Sequence, residues 1–205
     1  MEGNNKKTNT KKKWLAAGVL CLLLALLLIK CGGSEAGAPT LTVRTPQKIS
    51  VSEREPFTLD VTISDLGEAL YPAASVSISF DPSRLEFLGV EEGNVFIHNE
   101  DNEKGVGQKL PDWSCNAAQC NEKGMINIMY LDLTGGKYAF SRELLAPEDN
   151  VVLRLSFRLR GSARAGDVYD LIVEDAVFAA SDESRSLSMT QDTLKTKDGR
   201  IVVGE

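Results

Sequence analysis

Histidine, cysteine and aromatic residues are scarce in this sequence of 205 residues. Aromatic residues make up 6% of it, and it has four cysteines and a single histidine, His98. Four cysteines in a chain of this length are too few for a small fold held together by disulfides, so the fold must depend mainly on its hydrophobic core. With 42% hydrophobic and 25% charged residues, the composition also excludes a disordered chain, a collagen and a membrane protein with many spans.

Motifs that carry enzyme chemistry are also absent. The sequence has no G-x-S-x-G, no H-E-x-x-H and no glycine-rich phosphate-binding loop. Glu91-Glu92 and Asp182-Glu183 are adjacent carboxylates, which point apart on a strand or turn and so favour a solvated surface over acid–base catalysis. Asn99–Glu103 lacks the glycine and the spacing of an EF-hand calcium loop. We therefore expect a protein that is not an enzyme and that needs no metal or cofactor.

Positive charge is concentrated at the N-terminus. Residues 1–30 contain six lysines and one glutamate, a charge of +5, whereas the net charge of the chain is −6. The remaining 175 residues therefore carry −11. Because a domain this acidic is repelled by phosphate backbones, we expect no nucleic-acid partner.

Five lysines precede an uncharged apolar run of sixteen residues, Trp14–Ile29. This arrangement is typical of a segment that keeps its N-terminus in the cytoplasm and sends the following residues across a membrane. At about 1.5 Å per residue the run spans about 24 Å, slightly less than the ~30 Å hydrocarbon core. We interpret residues 1–13 as a basic cytoplasmic region, 14–31 as a hydrophobic transmembrane helix that acts as a signal anchor, and 32–39 as a linker.

Two alternatives remain open for this segment. Ser34 and Ala36 are the small residues of a candidate signal-peptide cleavage site, and cleavage there would release a secreted domain. Leu27–Ser34 resembles the end of a bacterial lipoprotein signal, which makes Cys31 a candidate for lipidation. All three interpretations place the rest of the chain outside the cytoplasm, and we favour a single-pass cell-membrane protein with an extracellular domain.

Cys115 and Cys120 are five residues apart in the part of the chain that we expect outside the cell. In an oxidising compartment such a pair is compatible with a disulfide that closes a small loop. The alternatives are two unrelated thiols or half of a metal site, but with His98 as the one further ligand nearby, zinc has too few ligands. We predict a disulfide between the two cysteines.

Apolar and polar residues alternate repeatedly after residue 40. Phe57–Ile63, Val76–Phe80 and Val151–Leu159 show the pattern most clearly, and it places one side of each strand in a core and the other in water. Further strands, bounded by turn residues, are predicted at 41–45, 86–91, 125–132, 169–179 and 200–203. Arg142–Leu145 is the one segment that suggests a helical turn.

Eight or nine short strands without a sustained helical period predict an all-β fold, an antiparallel β-sandwich. The long connections at 92–123 and 133–149 favour a Greek-key or jelly-roll path over a simple meander. We predict a single domain over residues 40–205.

Residues 75–93, Ser-Val-Ser-Ile-Ser-Phe-Asp-Pro-Ser-Arg-Leu-Glu-Phe-Leu-Gly-Val-Glu-Glu-Gly, resemble the characteristic segment of cohesin domains, the receptor modules of cellulosomes. In that family an alternating strand leads into Asp-Pro-x-x-Leu-Glu-Phe and then into a hydrophobic-Gly-Val step. Gly124–Thr134 is similar to the family's strand that begins at a glycine and ends at an acidic residue. The strand at 150–160 and the closing Asp198–Val203 follow in the expected order, so the resemblance covers about residues 40–205.

The resemblance implies a nine-stranded jelly roll with a non-catalytic function. One flat sheet face would bind the dockerin module of an enzyme or scaffold protein at the cell surface, in a cellulosome-type assembly linked to polysaccharide degradation. The implied contact strands are Ala73–Ser79, Asn127–Asp132 and Val152–Arg158. The predicted partner-binding residues are Ala73, Ser75, Ser77, Ser79, Asn127, Met129, Leu131, Asp132, Arg154, Ser156 and Arg158.

The residues themselves favour the same face. Serines at 75, 77 and 79 leave a flat, hydrogen-bonding surface, and Met129 and Leu131 add apolar contacts if the alternate residues Ile126, Ile128 and Tyr130 face the core. A polar plateau with a few apolar anchors suits the docking of a helix. Arg154 and Arg158 on that face would favour an acidic partner. We expect the protein itself to be monomeric.

Two other functions fit the sequence. A carbohydrate-binding sandwich is one, although such sites need exposed aromatic platforms and Trp113 is the main candidate here. A structural spacer that lifts a surface assembly off the membrane is the other.

Overall fold

The computed structural model describes residues 37–45, 48–52, 55–99, 109–134, 137–181 and 186–205. The basic region, the hydrophobic helix and Cys31 lie outside the described residues. Within the described part, no helix is both long enough and apolar enough to cross a membrane.

Twelve strands and two short helices make up the described part of Gly37–Glu205. The strands are β1 Thr40–Val43, β2 Ile49–Ser50, β3 Phe57–Ile63, β4 Ala73–Ser79, β5 Leu85–Glu92, β6 His98–Asn99, β7 Met125–Leu131, β8 Tyr138–Ala139, β9 Val151–Leu159, β10 Val168–Ala179, β11 Lys195–Lys197 and β12 Gly199–Gly204. The helices are α1, Ala117–Lys123, and a 3-10 turn, Arg142–Leu144.

Two five-stranded sheets pack face to face. The first, which we call the β9 sheet, has the strand order β11-β1-β3-β9-β5, and the second, the β4 sheet, has the order β2-β12-β10-β4-β7. Most neighbouring strands are antiparallel, but β1 pairs with β11 and β12 pairs with β2 in parallel. The predicted β-sandwich is therefore confirmed as a two-sheet fold, with short parallel pairs at two of its edges.

The core lies between the two sheets, where the alternating apolar residues of the longer strands meet. On β4, Val76 is 1% exposed and Ile78 is fully buried, while the serines between and beside them face outward. Phe157 of β9 packs against Phe80 and Phe87 at ring-centroid distances of 5.7 and 5.4 Å. Burying an apolar side chain of this size contributes about 1.5–3 kcal/mol, so the core fixes which side of β4 faces water.

The eight predicted strands all occur in the structure, within a few residues of their expected ends. The strands that the sequence did not predict are β2, β6, β8 and β11. Each is only two or three residues long, too short for an alternating pattern. The predicted helical turn at Arg142–Leu145 is present as the 3-10 turn.

The sequence did not predict helix α1, which begins two residues after Cys115 and contains Cys120. Asn116 caps its first turn, because its Oδ1 accepts a hydrogen bond from the Gln119 amide at 3.1 Å. Gly124 ends it with a positive φ of 64°, a conformation that favours glycine. The capping residues Asn116 and Gly124 are the features of the sequence from which this helix could have been predicted.

Candidate functional site

The outward side of β10, β4 and β7 forms one continuous surface, which we call the β4 face. Three hydrogen-bonded strands build it in cross-strand rows. From one end to the other, the rows are Leu131, Ala73 and Ala179; Met129, Ser75 and Val177; Asn127, Ser77 and Asp175; and Met125, Ser79 and Ile172. The pattern predicted for β7 is confirmed here, because Ile126, Ile128 and Tyr130 are buried behind this surface.

A shallow trough follows β4 across this face. The β4 side chains along it are alanine and serine, the smallest that a strand can carry without using glycine. Met129 and Leu131, each 52% exposed, form the ridge on the β7 side, and Val177 borders the trough on the β10 side. Small residues between larger ones leave room for side chains of a partner, and the exposed apolar ridge supplies contact area.

The other end of the β4 face is polar. The Ser77 hydroxyl donates to Asn127 Oδ1 at 2.9 Å, and the Ser79 hydroxyl donates to Glu174 Oε1 at 2.6 Å. A register shift between Val173 and Asp175 interrupts the pairing of β10 with β4. Such bulges re-aim side chains, and this one places the two consecutive carboxylates of Glu174 and Asp175 beside the serines.

A short extended segment before α1 lengthens the β4 face beyond β7. Ser114 pairs with Met129 through two backbone hydrogen bonds of 2.8 and 3.1 Å. Beside this pairing, Ser75, Ser77, Ser114, Asn116, Asn127 and Met129 contribute to an open depression of about 480 Å³. The segment Ser114–Asn116, which contains Cys115, therefore borders the candidate site.

Trp113 anchors this segment to the core. Its indole N–H donates to the Val152 carbonyl at 2.9 Å, and its ring packs against Tyr130 and Phe140 at centroid distances of 6.0 and 5.7 Å. The indole is thus engaged in packing instead of lying flat on the surface as a platform for sugars. Among the described residues, no aromatic side chain is exposed.

The predicted contact strand Val152–Arg158 belongs to the opposite sheet, so the expectation that it shares a face with the serines is wrong. Arg154 Nε lies 3.1 Å from Asp60 Oδ1, and Arg158 Nη1 lies 3.2 Å from Glu86 Oε2, both on the outer side of the β9 sheet. Ser156 between them is 6% exposed. Alternation identifies the outward residues of β9 but does not say which sheet the strand joins.

Asp132 lies just beyond β7 and is engaged in its own turn. One carboxylate oxygen accepts from the amide and the hydroxyl of Thr134 at 2.8 and 2.6 Å, and the other accepts from the Tyr138 amide at 3.1 Å. Its carboxylate also contributes, after burial, to raising the pKa of Tyr130 to about 12. Asp132 therefore shapes the end of the β4 face.

Cys115 and Cys120 are free thiols in the structure, so the predicted disulfide is not found. Cys120 is 4% exposed on the core side of α1, and Cys115 is half-buried just before the helix cap. Burial raises the pKa of the Cys115 thiol, and the neighbouring Cys120 raises it further. The helix caps and the packing of Trp113 hold this segment in place without a disulfide.

The β10 part of the face was not anticipated. The strand itself was predicted at 169–179, but its place beside β4 was not, so Glu174, Asp175, Val177 and Ala179 were missed. The one signal in the sequence was the break in alternation at Glu174-Asp175, which indicates a bulge. Among the described residues, no cluster of His, Cys, Asp and Glu could hold a metal ion.

A family model described as the cohesin domain matches residues 44–201. The chain belongs to the cohesin family. The resemblance predicted from residues 75–93 is thereby confirmed. Cohesin domains are non-catalytic protein-binding modules, so this one is not an enzyme.

Solved cohesin structures share the fold at low sequence identity. The third ScaC cohesin of Acetivibrio cellulolyticus, solved with the ScaB dockerin, is 16% identical; the alignment covers 82% of this chain and 99% of that one, with a TM-score of 0.56. The OlpA cohesin of Clostridium thermocellum, also solved with a dockerin, is 14% identical over 82% of this chain and 99% of that one, with a TM-score of 0.57.

The similarity extends to a cohesin described as non-cellulosomal, from the archaeon Archaeoglobus fulgidus. It is 11% identical, with 82% of this chain and 93% of that chain covered and a TM-score of 0.53. No curated protein matches the sequence.

Proposed function

We propose that this cohesin domain binds a dockerin module on the β4 face and so recruits dockerin-bearing enzymes or scaffold proteins to a cellulosome-type assembly. The observation that carries the proposal is the trough along β4, with alanine and serine at its floor and the exposed Met129 and Leu131 at its edge. The cohesins of A. cellulolyticus and C. thermocellum described above were both solved with dockerins, which supports the same class of partner here.

Met129 and Leu131 are the expected anchors of the interface. Burying an exposed methionine or leucine side chain contributes up to about 1.5–3 kcal/mol, and a few such residues commonly dominate a protein–protein interface. The serine hydroxyls beside them offer hydrogen bonds without projecting far from the sheet. The face therefore combines apolar contact with directional polar contact.

The carbohydrate-binding alternative has no support in the described residues. Its candidate platform, Trp113, packs against the core and donates its indole N–H to the backbone. A sugar-binding role would need an aromatic surface that the β4 face does not offer.

We further propose that the N-terminal segment holds the domain on the outside of the cell membrane. The basis is the sequence alone, namely the lysines that precede the apolar run Trp14–Ile29. The intact mass of the protein in the membrane fraction tests this location: the full chain supports the anchor, loss of about 36 residues indicates a secreted domain, and a lipidated product that begins at Cys31 indicates a lipoprotein.

Dockerin binding is tested by titrating the full-length protein, kept in mild detergent, with each recombinant dockerin module from the source organism in a calorimeter. We expect at least one module to bind with a Kd of about 1 μM or lower, equivalent to about −8 kcal/mol. Saturable binding to soluble glycans with no dockerin bound would contradict the proposal.

A substitution on the trough floor locates the site. Ser75→Arg should leave the fold intact because the side chain faces water, and it should weaken dockerin binding at least about tenfold by filling the trough. Thr58→Arg, on the exposed side of β3 in the other sheet, is the matched control and should bind like the parent. Equal binding by Ser75→Arg would place the interface elsewhere.

A further inference from the structure

We infer that Cys115 and Cys120 form a reactive pair of thiols, a modification site for low-molecular-weight disulfides such as oxidised glutathione. Cys115 reacts first, and Cys120 then displaces the added thiol and closes a disulfide within the chain. The structure shows the reduced form of this pair. The positions of the two residues at the start of α1, their different exposure and the anchoring of the segment support the inference.

The two cysteines occupy the positions of a hydrophobic staple at the start of α1. Asn116 is the cap of this helix, so Cys115 is the residue before the cap and Cys120 is the fourth residue of the helix. Side chains at these two positions pack against each other across the first turn. The Cys120 amide donates to the Asn116 carbonyl at 2.9 Å, which closes that turn. The fold therefore brings the two thiols together before any bond forms between them.

The two thiols differ in exposure. Cys115 is half-buried and lines the open depression beside Ser75 and Ser77, so a small disulfide can reach it from outside. Cys120 is 4% exposed on the core side of α1. Because access to the attacking thiol controls thiol–disulfide exchange, Cys115 is the entry thiol and Cys120 is the resolving thiol.

The surroundings of Cys115 set the conditions for the reaction. Burial, and after it the neighbouring Cys120, raises the pKa of the Cys115 thiol, while a hydrogen bond from the Val90 backbone lowers it. The net effect is a raised pKa. Since the thiolate is the nucleophile, exchange at Cys115 is slow at neutral pH and faster in mild base.

Both sides of the segment are fixed to the sandwich. Ser114 forms two backbone hydrogen bonds with Met129, and the Asn121 side chain binds the backbone of Phe87 in β5. The disulfide therefore forms between groups that are already ordered. Ordering in advance favours this bond over the same bond in a flexible peptide.

The reaction consists of two successive exchanges. The Cys115 thiolate attacks one sulfur of oxidised glutathione, forms a mixed disulfide and releases one glutathione thiolate. Cys120 loses its proton to solvent, its sulfur attacks the Cys115 sulfur, and the second glutathione leaves as a thiolate. Two protein thiols are thereby oxidised to one disulfide, and oxidised glutathione is reduced to two thiols by the same two electrons.

The modification lies at the border of the β4 face, so its consequence for binding rests on the proposed function. A glutathione attached to Cys115 fills the depression beside Ser75 and Ser77, whereas the closed disulfide leaves it open. Cys120 thus keeps this border of the site clear of thiol adducts.

The experiment treats the reduced full-length protein, kept in mild detergent, with excess oxidised glutathione at about pH 8.5, near the pKa of an unperturbed thiol. The tryptic peptide Leu110–Lys123 contains both cysteines of the pair but not Cys21 or Cys31. After digestion without reductant, we expect this peptide from the parent to have lost two hydrogen atoms. A peptide that stays reduced, or that retains glutathione, would overturn the inference.

Two matched variants assign the roles of the thiols. Cys120→Ala should retain one glutathione on Cys115, and Cys115→Ala should remain unmodified at Cys120. Cys120→Ser repeats the first measurement with a side chain of similar size, in case the alanine variant is unstable. Ready modification of Cys120 in Cys115→Ala would contradict the assignment of Cys115 as the entry thiol.

An equilibrium measurement tests whether the fold favours the bond. In a glutathione redox buffer, the ratio of oxidised to reduced pair gives the effective concentration of the two thiols. We expect this concentration to be at least about tenfold higher in the folded protein than in a synthetic peptide Leu110–Lys123. A lower value in the protein would mean that the fold holds the thiols apart, and the inference would fail.

Titration with the dockerin that binds the parent most tightly tests the consequence for binding. The oxidised parent should bind within about threefold of the reduced parent, and the glutathione adduct of Cys120→Ala should bind at least about tenfold more weakly than the same variant when reduced. Equal binding by the adduct would overturn the role at the β4 face. If no dockerin binds the parent, the proposed function fails, whereas the peptide masses still decide the thiol chemistry.

Discussion

Adjacent residues on β4 have opposite roles, because successive side chains of a strand point to opposite sides of the sheet. Val76 is packed between the sheets, whereas Ser75 and Ser77 on either side of it face the solvent. A substitution of Val76 therefore tests core packing, and a substitution of Ser75 or Ser77 tests the proposed binding of a partner. This separation makes β4 the most informative strand for mutagenesis.

Val76→Asp should unfold the domain, because it buries a carboxylate that has no partner, at a cost of several kcal/mol. Val76→Ile keeps the apolar surface and should stay folded. Circular dichroism during thermal denaturation distinguishes them: we expect no cooperative transition for the Asp variant and a transition close to that of the parent for the Ile variant. A cooperative transition for both would mean that Val76 is not in the core.

Asp81 stabilises the turn between β4 and β5. One of its carboxylate oxygens accepts from the Ser83 hydroxyl at 2.6 Å and from the Ser83 amide at 2.9 Å. These hydrogen bonds, the hydroxyl bond foremost, lower the pKa of Asp81 below its ordinary value. Since the folded state favours the charged form, the contribution to stability is present above the unfolded pKa, about 3.9, and is lost as the pH falls through the folded pKa.

Asp81→Asn keeps the shape of the side chain but cannot ionise. We expect it to be less stable than the parent at pH 6 by under about 1 kcal/mol, because Asp81 is largely exposed to solvent. The difference should shrink as the pH falls from about 5 to about 2, as the parent's carboxylate becomes protonated. Urea denaturation of both proteins across this range measures it, and a difference that stays constant with pH would contradict the assignment.

At the scale of elements, α1 closes the side of the sandwich between β5 and β7. The Asn121 side chain takes the place of a neighbouring strand: its Oδ1 accepts from the Phe87 amide at 2.9 Å, and its Nδ2 donates to the Phe87 carbonyl at 2.7 Å. Nδ2 also donates to the Ala117 carbonyl at 2.8 Å. The edge of β5 is thus partly covered, which protects it from pairing with other chains.

Asn121→Ala should destabilise the domain by about 2–3 kcal/mol, because it leaves both backbone groups of Phe87 without these partners at a half-buried edge. Glu122→Ala, on the exposed side of the same helix, removes a side chain without a backbone partner and should change stability by less than about 0.5 kcal/mol. Urea denaturation followed by tryptophan fluorescence measures both variants. If Asn121→Ala were as stable as the parent, the hydrogen bonds of Asn121 to Phe87 would not contribute to closing the sandwich.

Most long elements could be predicted from the sequence, and their arrangement could not. Alternation identified β4, β7, β9 and β10 because each buries one side in the core. It gave no information on strand order, so β9 was expected beside β4, where β10 lies. Strand order depends on contacts between residues far apart in the chain, and one sequence does not display them. Helix α1 was missed because seven residues are too few for a helical period.

At the scale of the whole molecule, the two outer faces differ in how their charges are used. On the β9 sheet, arginines and carboxylates of neighbouring strands pair with each other, as in Arg154 with Asp60 and Arg158 with Glu86. On the β4 face, Glu174 and Asp175 form no ion pair with a described residue, and Glu174 Oε1 accepts a hydrogen bond from the Ser79 hydroxyl instead. Arg154 and Arg158 are thus already engaged in ion pairs on their own sheet.

This difference predicts that the arginines of β9 do not take part in binding. The double variant Arg154→Ala and Arg158→Ala should bind dockerin with an affinity within about twofold of the parent, since neither side chain lies on the β4 face. It should lose no more than about 1 kcal/mol of stability for each pair, because all four groups are partly exposed and exposed ion pairs contribute little. Calorimetric titration and urea denaturation of the same preparation measure both quantities. A tenfold loss of affinity with the fold intact would show that the dockerin contacts the β9 sheet, and the interface would then have to be placed on the opposite side of the sandwich.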